Sequence, residues 1–352
     1  MIAHSAIKFI GTPPSLFRSV LPGQVPFMLF DRFERLISYL RISVTDRCNF
    51  RCVYCMPEAG VEIAPRDELL SFEEIARVAS VGAKLGLRKI RLTGGEPTVR
   101  RDLPRLVAML SAIEGIEELA MTTNAVLLGE LARPLKEAGM TRLNISLDTL
   151  NREKAAQIAR RDEWARVRNG IEAAHEEGFG LKFNAVVMRG WNDAELGDLV
   201  AFAHSFGAPM RFIEWMPMGS TRFDERNTTV SSREMLELLR PRFDLQLESN
   251  GSNDPAKMWV CQRSGARVGF ISSMSDHFCA TCNRMRLTAQ GGLRPCLHQD
   301  AETDVRSLLR CGASDEELAL AFREAAGLKW AGHRMNDIIP LFSGKDMVSI
   351  GG

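Results

Sequence analysis

A chain of 352 residues can hold one large domain, or one domain with a smaller appendage. With 45% hydrophobic and 25% charged residues it has an ordinary globular composition, and a net charge of +1 lacks the strongly basic footprint of a nucleic-acid binder. No run approaches the roughly 18 apolar residues a membrane span needs, so the expectation is a cytoplasmic protein that engages neither membrane nor nucleic acid.

The N-terminal stretch carries Lys8 and Arg18, no acid before Asp31, and prolines at Pro13, Pro14, Pro22 and Pro26. Acid-poor, basic N-termini can be organelle transit peptides; a disordered extension over residues 1–38 is the plainer expectation. A βα alternation then begins. Strands are expected at Leu40–Thr45, Lys89–Thr93, Glu118–Thr123, Arg142–Leu147, Lys182–Met188 and Arg211–Met216. Helical patterns lie between them at Phe72–Leu85, Leu103–Ile113, Leu127–Ala138, Trp164–Glu177 and Ala194–Phe206. Gly86, Gly139, Gly178 and Gly207 suit left-handed C-caps, and Ser71 and Asp193 suit N-caps. Strands alternating with helices argue for a parallel sheet. The expected fold is therefore α/β, an incomplete TIM barrel of about six βα units over residues 39–218. A C-terminal region, 219–352, follows, with short strands over 266–298 and helices near Asp304–Arg310 and Asp315–Ala325.

The strands are not the continuous apolar runs of a doubly covered sheet. Arg41, Ser43 and Thr45 alternate with Ile42 and Val44; Arg91 with Ile90 and Leu92; Asn144 and Ser146 with Leu143 and Ile145; Lys182 and Asn184 with Phe183 and Ala185. Side chains two apart share a face. The apolar face belongs to the helices, so the polar face lines the barrel interior. Arg41, Arg91 and Lys182 on that face suit an anionic ligand.

Six of the eight cysteines form two triplets, while Cys261 and Cys311 read as buried core thiols. Cys48, Cys52 and Cys55 follow the first strand, at the barrel end where active sites are built. Three thiolates so spaced can hold three corners of a 4Fe–4S cubane and leave the fourth iron open. Thr93-Gly94-Gly95-Glu96-Pro97 ends the next strand at the same mouth, where two glycines allow close backbone approach and Glu96 can accept from an ammonium. Cys279 and Cys282, with Cys296 further on, suit a second cluster or a zinc site equally, because His277 or His298 could complete a zinc tetrahedron.

The Cys48, Cys52-Val53-Tyr54-Cys55 pattern, followed one βα unit later by Gly94-Gly95-Glu96-Pro97, resembles the radical S-adenosylmethionine (SAM) superfamily. The resemblance implies that the open iron chelates the amino and carboxylate groups of SAM, which is cleaved reductively to methionine and a 5′-deoxyadenosyl radical. It also implies SAM contacts by Tyr54, Gly95, Ser146 and Met216. The run Cys279-Ala280-Thr281-Cys282-Asn283-Arg284-Met285-Arg286-Leu287, with Cys296, resembles the C-terminal motif of the GTP 3′,8-cyclase family. That likeness runs from about Leu40 to Gly352. It implies a second 4Fe–4S cluster on Cys279, Cys282 and Cys296, whose open iron binds guanine. It implies GTP binding by Arg41, Arg91, Thr122, Lys182, Arg284, Met285 and Arg286, and a catalytic role for the Gly351–Gly352 tail.

The implied reaction takes hydrogen from the ribose C3′ of GTP. The carbon radical attacks guanine C8, and reduction gives (8S)-3′,8-cyclo-7,8-dihydroguanosine 5′-triphosphate. This is a lyase-class first step of molybdenum cofactor biosynthesis. The implied partners are GTP, SAM, an electron donor and cyclic pyranopterin monophosphate synthase, with the enzyme a monomer or homodimer. The sequence departs from the family pattern at Lys329-Trp330, where Lys-Pro is usual, and at Met347-Val348-Ser349, which lacks an arginine often found before the tail. The rival readings are another radical SAM enzyme with an auxiliary cluster, such as a peptide maturase, and a non-catalytic zinc-binding protein.

Overall fold

In the computed structural model the described residues are 28–218, 228–248, 254–333 and 347–351. Six βα repeats run in order: β1 (Tyr39–Ser43), α1 (Phe72–Lys84), β2 (Lys89–Thr93), α2 (Leu103–Ser111), β3 (Glu118–Thr123), α3 (Leu128–Glu137) and β4 (Arg142–Ser146). They continue through α4 (Arg152–Ala159), α5 (Trp164–Glu176), β5 (Gly180–Val187), α6 (Leu196–Ser205) and β6 (Met210–Glu214). The C-terminal region adds α7 (Ser232–Leu239), β7 (Leu245–Leu247), β8 (Lys257–Cys261), β9 (Arg267–Ile271), β10 (Arg284–Leu287), β11 (Gly292–Arg294) and β12 (Thr303–Asp304). Helices α8 (Val305–Arg310) and α9 (Asp315–Gly327) follow.

All strands share one sheet, in the order β12-β11-β10-β1-β2-β3-β4-β5-β6-β9-β8-β7. Every pairing from β10 through β1–β6 to β9 is parallel, and the three strands at each end are joined antiparallel. The order has two ends, so the barrel is open. The sequence placed six parallel strands; the C-terminal region supplies one more on each side. β10 lies beside β1, in register Tyr39↔Arg284 to Ile42↔Leu287. Through that pairing the second cysteine group comes to the same mouth as the first.

The alternation does what the sequence requires of it. In β5, Leu181, Phe183, Ala185 and Val187 enter the helix-covered core while Lys182 and Asn184 face the interior. Likewise Leu40 and Ile42 of β1, and Ile90 and Leu92 of β2, are buried under the helices. Ser71 caps α1 through a full capping box with Glu74, a motif that stabilises a helix start by about 1 kcal/mol. Gly86, Gly139, Gly178 and Gly207 all take positive φ at helix ends, the left-handed conformation glycine adopts without a Cβ penalty.

Two expectations are corrected and one helix is added. Asp193 does not cap α6; it begins a 3-10 turn, and its carboxylate accepts from Gly190 N at 2.9 Å. Cys261 is buried as expected, but Cys311 is exposed. The short helix α4 escaped notice because it is mostly polar and buries only Ile158 and Ala159.

Residues 1–27 lie outside the described residues, whereas the segment from residue 28 is packed: Leu29 and Ile37 are fully buried in the core. Arg35 there forms a buried ion pair with Asp31 at 2.5 Å. Its guanidinium also donates to Cys279 O and Trp330 O, each at 2.6 Å, and to Ala331 O at 3.1 Å. This segment thus braces the loop of the second cysteine group.

Candidate active site

The open barrel encloses a cavity of about 390 Å³ that reaches from Cys48, Cys52 and Cys55 on one side to Cys279, Cys282 and Cys296 on the other. None of the six is in a disulfide. The first triplet sits on the loop after β1. Phe50 N donates to Cys48 Sγ at 3.4 Å, and Cys55 N and Met56 N both turn back onto Cys52 O. Burial pushes the Cys48 thiol up to about 11 and the Cys52 thiol well above its ordinary value. Thiolates so desolvated need a cation, which iron would supply.

Tyr54 lines the cavity, and its hydroxyl donates to Asp148 Oδ2 at 2.7 Å. Gly95 is in the wall because nothing larger fits: a Cβ there would lie 2.2 Å from Arg47 O, and its N–H donates to Thr45 O at 2.8 Å. Ser146 and Met216 line the same cavity. Glu96 lines the cavity and is held by its neighbours. Its Oε1 accepts from Thr98 Oγ1 at 2.6 Å and Thr123 Oγ1 at 2.7 Å, and its Oε2 from Asn124 N at 2.8 Å. It ties together the loop after β2 and the end of β3.

The cations lie across the strands. Arg286, Arg41 and Arg91 are register neighbours on β10, β1 and β2, and all three line the cavity with Arg284. Burial, then the nearby Arg286, holds the Arg41 guanidinium well below its ordinary value; burial brings Arg286 down to about 10. Like charges gathered out of water repel, so this arrangement is completed by an anion. Among the described residues, Arg91 Nε, Arg284 Nε, Thr122 Oγ1, Asn144 Nδ2 and Asn184 Oδ1 are buried without a hydrogen-bond partner. Such atoms are rare in folded proteins, and a bound ligand would satisfy them.

Two predicted residues are placed differently from the rest. Met285 is fully buried in the core on the helix side of β10, so only its main chain can serve a ligand. Lys182 does not figure among the described cavity-lining residues; it stands 3.8 Å from Asp254. Arg211, which the sequence reading passed over, does line the cavity, and binds Asp254 at 2.5 Å. Burial, then Arg211, lowers the Lys182 ammonium to about 7.

In the second group, Cys279 and Cys282 flank a 3-10 turn before β10, and Cys296 follows β11. Burial alone would raise Cys282, but Arg284 and Lys329 outweigh it and bring the thiol to about 7. Lys329 Nζ donates to Arg284 O at 2.7 Å and Pro295 O at 2.6 Å, fastening the two cysteine-bearing segments. Trp330, where the family pattern has proline, donates its main-chain N–H to Gln299 Oε1 at 3.1 Å, a bond proline cannot make.

The chain's end enters the cavity: Met347 and Val348 line it, and Gly351 O accepts from Arg286. Gly351 has φ +69° and a Cβ there would lie 2.9 Å from Thr93 Oγ1. Gly352 lies outside the described residues.

A three-cysteine loop, a wall with a glycine that admits no Cβ and a partial parallel barrel are what a radical SAM protein requires, and the Radical SAM superfamily profile matches residues 42–203. The Molybdenum Cofactor Synthesis C profile matches residues 208–335. The chain is 42% identical over 326 residues to a GTP 3′,8-cyclase of Syntrophomonas wolfei, covering 92% of this chain and 100% of that one. It is 47% identical to a GTP 3′,8-cyclase of Pseudomonas putida, covering 86% and 91%. The fold is also that of Streptococcus suis SuiB, solved bound to S-adenosylmethionine (TM-score 0.56, 16% identity, 83% of this chain and 69% of that one). The chain belongs to the GTP 3′,8-cyclase family of radical SAM enzymes in molybdenum cofactor biosynthesis.

Proposed function

We propose that this chain converts GTP to 3′,8-cyclo-7,8-dihydro-GTP, a lyase-class reaction, with SAM and two 4Fe–4S clusters. The observation that carries the reading is the row of half-buried cations, Arg286, Arg41 and Arg91, lining the same cavity as the two cysteine triplets. Cys48, Cys52 and Cys55 would hold the first cluster, and Cys279, Cys282 and Cys296 the second. When bound, the first supplies the electron that splits SAM to methionine and the 5′-deoxyadenosyl radical, the oxidant for the ribose 3′ C–H bond.

The protein's part is positioning. Tyr54, Gly95, Ser146 and Met216 line the SAM side. Arg41, Arg91, Arg284 and Arg286 suit the triphosphate, because guanidinium forks match phosphate oxygens and stay charged. Thr122 offers its unpartnered hydroxyl to the same ligand. Lys182 and Arg211, sharing Asp254, add positive charge at the far end. Gly351 holds Arg286 from the tail side, and a catalytic role for Gly351 and Gly352 is part of the proposal.

The proposed division is a barrel over 39–218 and a cluster-bearing C-terminal region over 219–352, supported by the two profile spans. Among the described residues no helix is long and apolar enough to cross a membrane. A cytoplasmic monomer or homodimer, an external electron donor and hand-over to cyclic pyranopterin monophosphate synthase complete the proposal.

The test is GTP binding to the reconstituted R91A enzyme by equilibrium dialysis. GTP affinity is expected to fall at least about tenfold with SAM affinity unchanged. Unchanged GTP affinity, or an equal loss of both ligands, would contradict the assignment.

A further inference from the structure

His333 follows Lys329-Trp330 and is distant in sequence from the second cysteine group, yet the fold sets it against that group. His277, Cys279 and His333 each offer a ligand atom, and these atoms all lie within 4.8 Å of one another. The His277 and His333 rings meet edge to face, their centroids 4.8 Å apart and their planes at 66°. The His333 Nε2 lies 2.8 Å from Ser273 O. A carbonyl oxygen only accepts, so Nε2 carries the proton and Nδ1 presents the electron pair. Metal-binding histidines are oriented in this way, by giving their other ring N–H to a main-chain carbonyl. The two loops are also fastened together, since Arg35 donates to Cys279 O on one side and to Trp330 O and Ala331 O on the other.

We propose that His277, Cys279 and His333 form a binding site for a divalent transition ion of the zinc class, occupied when the second cluster is absent. Two imidazoles and a thiolate suit zinc or cobalt and not magnesium or calcium. Ligands bonded to one zinc at about 2.0–2.3 Å stand roughly 3.3–3.8 Å apart, so a small closure of the exposed His277 ring completes the set. Water takes the fourth position. The inference rests on the cluster assignment in one respect: Cys279 is common to both sites, so ion and cluster exclude each other. The apoprotein then has a resting state in which a zinc-class ion shields Cys279, and cluster assembly must displace it.

The test is anaerobic cobalt(II) titration of the full-length, cluster-free chain in a C48S/C52S/C55S background, so that the first triplet cannot take the ion, followed by visible absorption of the tetrahedral cobalt bands and the thiolate charge-transfer band. One cobalt per chain is expected for this parent and for the parent carrying C296S. C279S should lose the bands, and H277Q and H333Q should each weaken binding at least about tenfold. His277 is exposed, so H277Q tests the ligand set without disturbing the core. Loss of binding in C296S with normal binding in H277Q and H333Q would overturn the proposal and place the ion among the three thiols. Iron content of C296S, measured separately after reconstitution, reports on the cluster assignment alone. Zinc-preloaded wild type should take up about four irons where metal-free chain takes up about eight; equal uptake would overturn the competition.

Discussion

The guanidinium of Arg286 donates to the main-chain carbonyl of Gly351, so a residue of the cation row proposed to bind substrate is also the anchor for the tail. Gly351 sits at φ +69°, with Ser43 Cβ and Thr93 Oγ1 at about the closest distance a Cβ could tolerate. G351A should therefore displace the tail and leave Arg286 free to swing. Expected is a fall in turnover of at least about tenfold with iron content unchanged, read by 5′-deoxyadenosine formed per GTP consumed. Turnover equal to wild type would show that the tail contact has no part in the reaction.

Arg284 touches the cavity beside Cys282 and stacks on Phe278 at 4.6 Å. R284A should weaken GTP binding by about ten- to hundredfold, as expected for a lost charge-assisted phosphate contact, while SAM cleavage continues uncoupled from GTP. Iron analysis distinguishes the alternative: a loss of about four irons would mean that Arg284 supports the cluster loop rather than the substrate.

Lys182 gives the site a pH dependence whose sign can be worked out. In the free protein burial and Arg211 bring it down to about 7 from 10.5. A bound triphosphate stabilises the ammonium and raises that value. Binding therefore takes up a proton wherever free Lys182 is neutral, and the GTP dissociation constant should rise with pH above about 7, approaching tenfold per pH unit. K182M should bind more weakly at pH 7 and show a flatter profile. A wild-type profile no steeper than that of K182M would remove Lys182 from the binding step.

Arg35 carries a prediction on stability. Its pair with Asp31 is buried, and its remaining donors hold Cys279 O, Trp330 O and Ala331 O. R35A leaves Asp31 charged and those carbonyls unbonded, a loss of roughly 3 kcal/mol. Thermal unfolding of the cluster-free chain should shift down accordingly. In reconstituted protein the second cluster should be lost to oxygen faster than the first.

Much of the site was legible because the barrel's chemistry follows strand alternation. Arg41, Arg91, Asn144 and Asn184 were placed inside by the period of two, and the structure puts each on the cavity wall; Lys182, placed inside by the same period, is not among the described residues lining it, and Thr122, which lines it, came only from the family resemblance. Arg211 escaped because Phe212, Ile213, Trp215 and Met216 make its strand read as apolar, hiding the one cation that shares Asp254 with Lys182. The pairing of β10 with β1 was not legible, because a parallel contact between distant segments leaves no local periodicity. For the same reason His333 could not be joined to Cys279 from spacing, although His277, two residues away, could. Met285 shows the limit of carrying a motif over as a block: its neighbours face the cavity and it faces the core.

The most direct test of the central claim is a single anaerobic incubation of reconstituted enzyme with SAM, dithionite and GTP, counting iron beforehand and following 5′-deoxyadenosine and GTP by chromatography. The account predicts about eight irons per chain and 5′-deoxyadenosine formed in step with GTP loss. About four irons, or SAM cleavage indifferent to GTP, would contradict it.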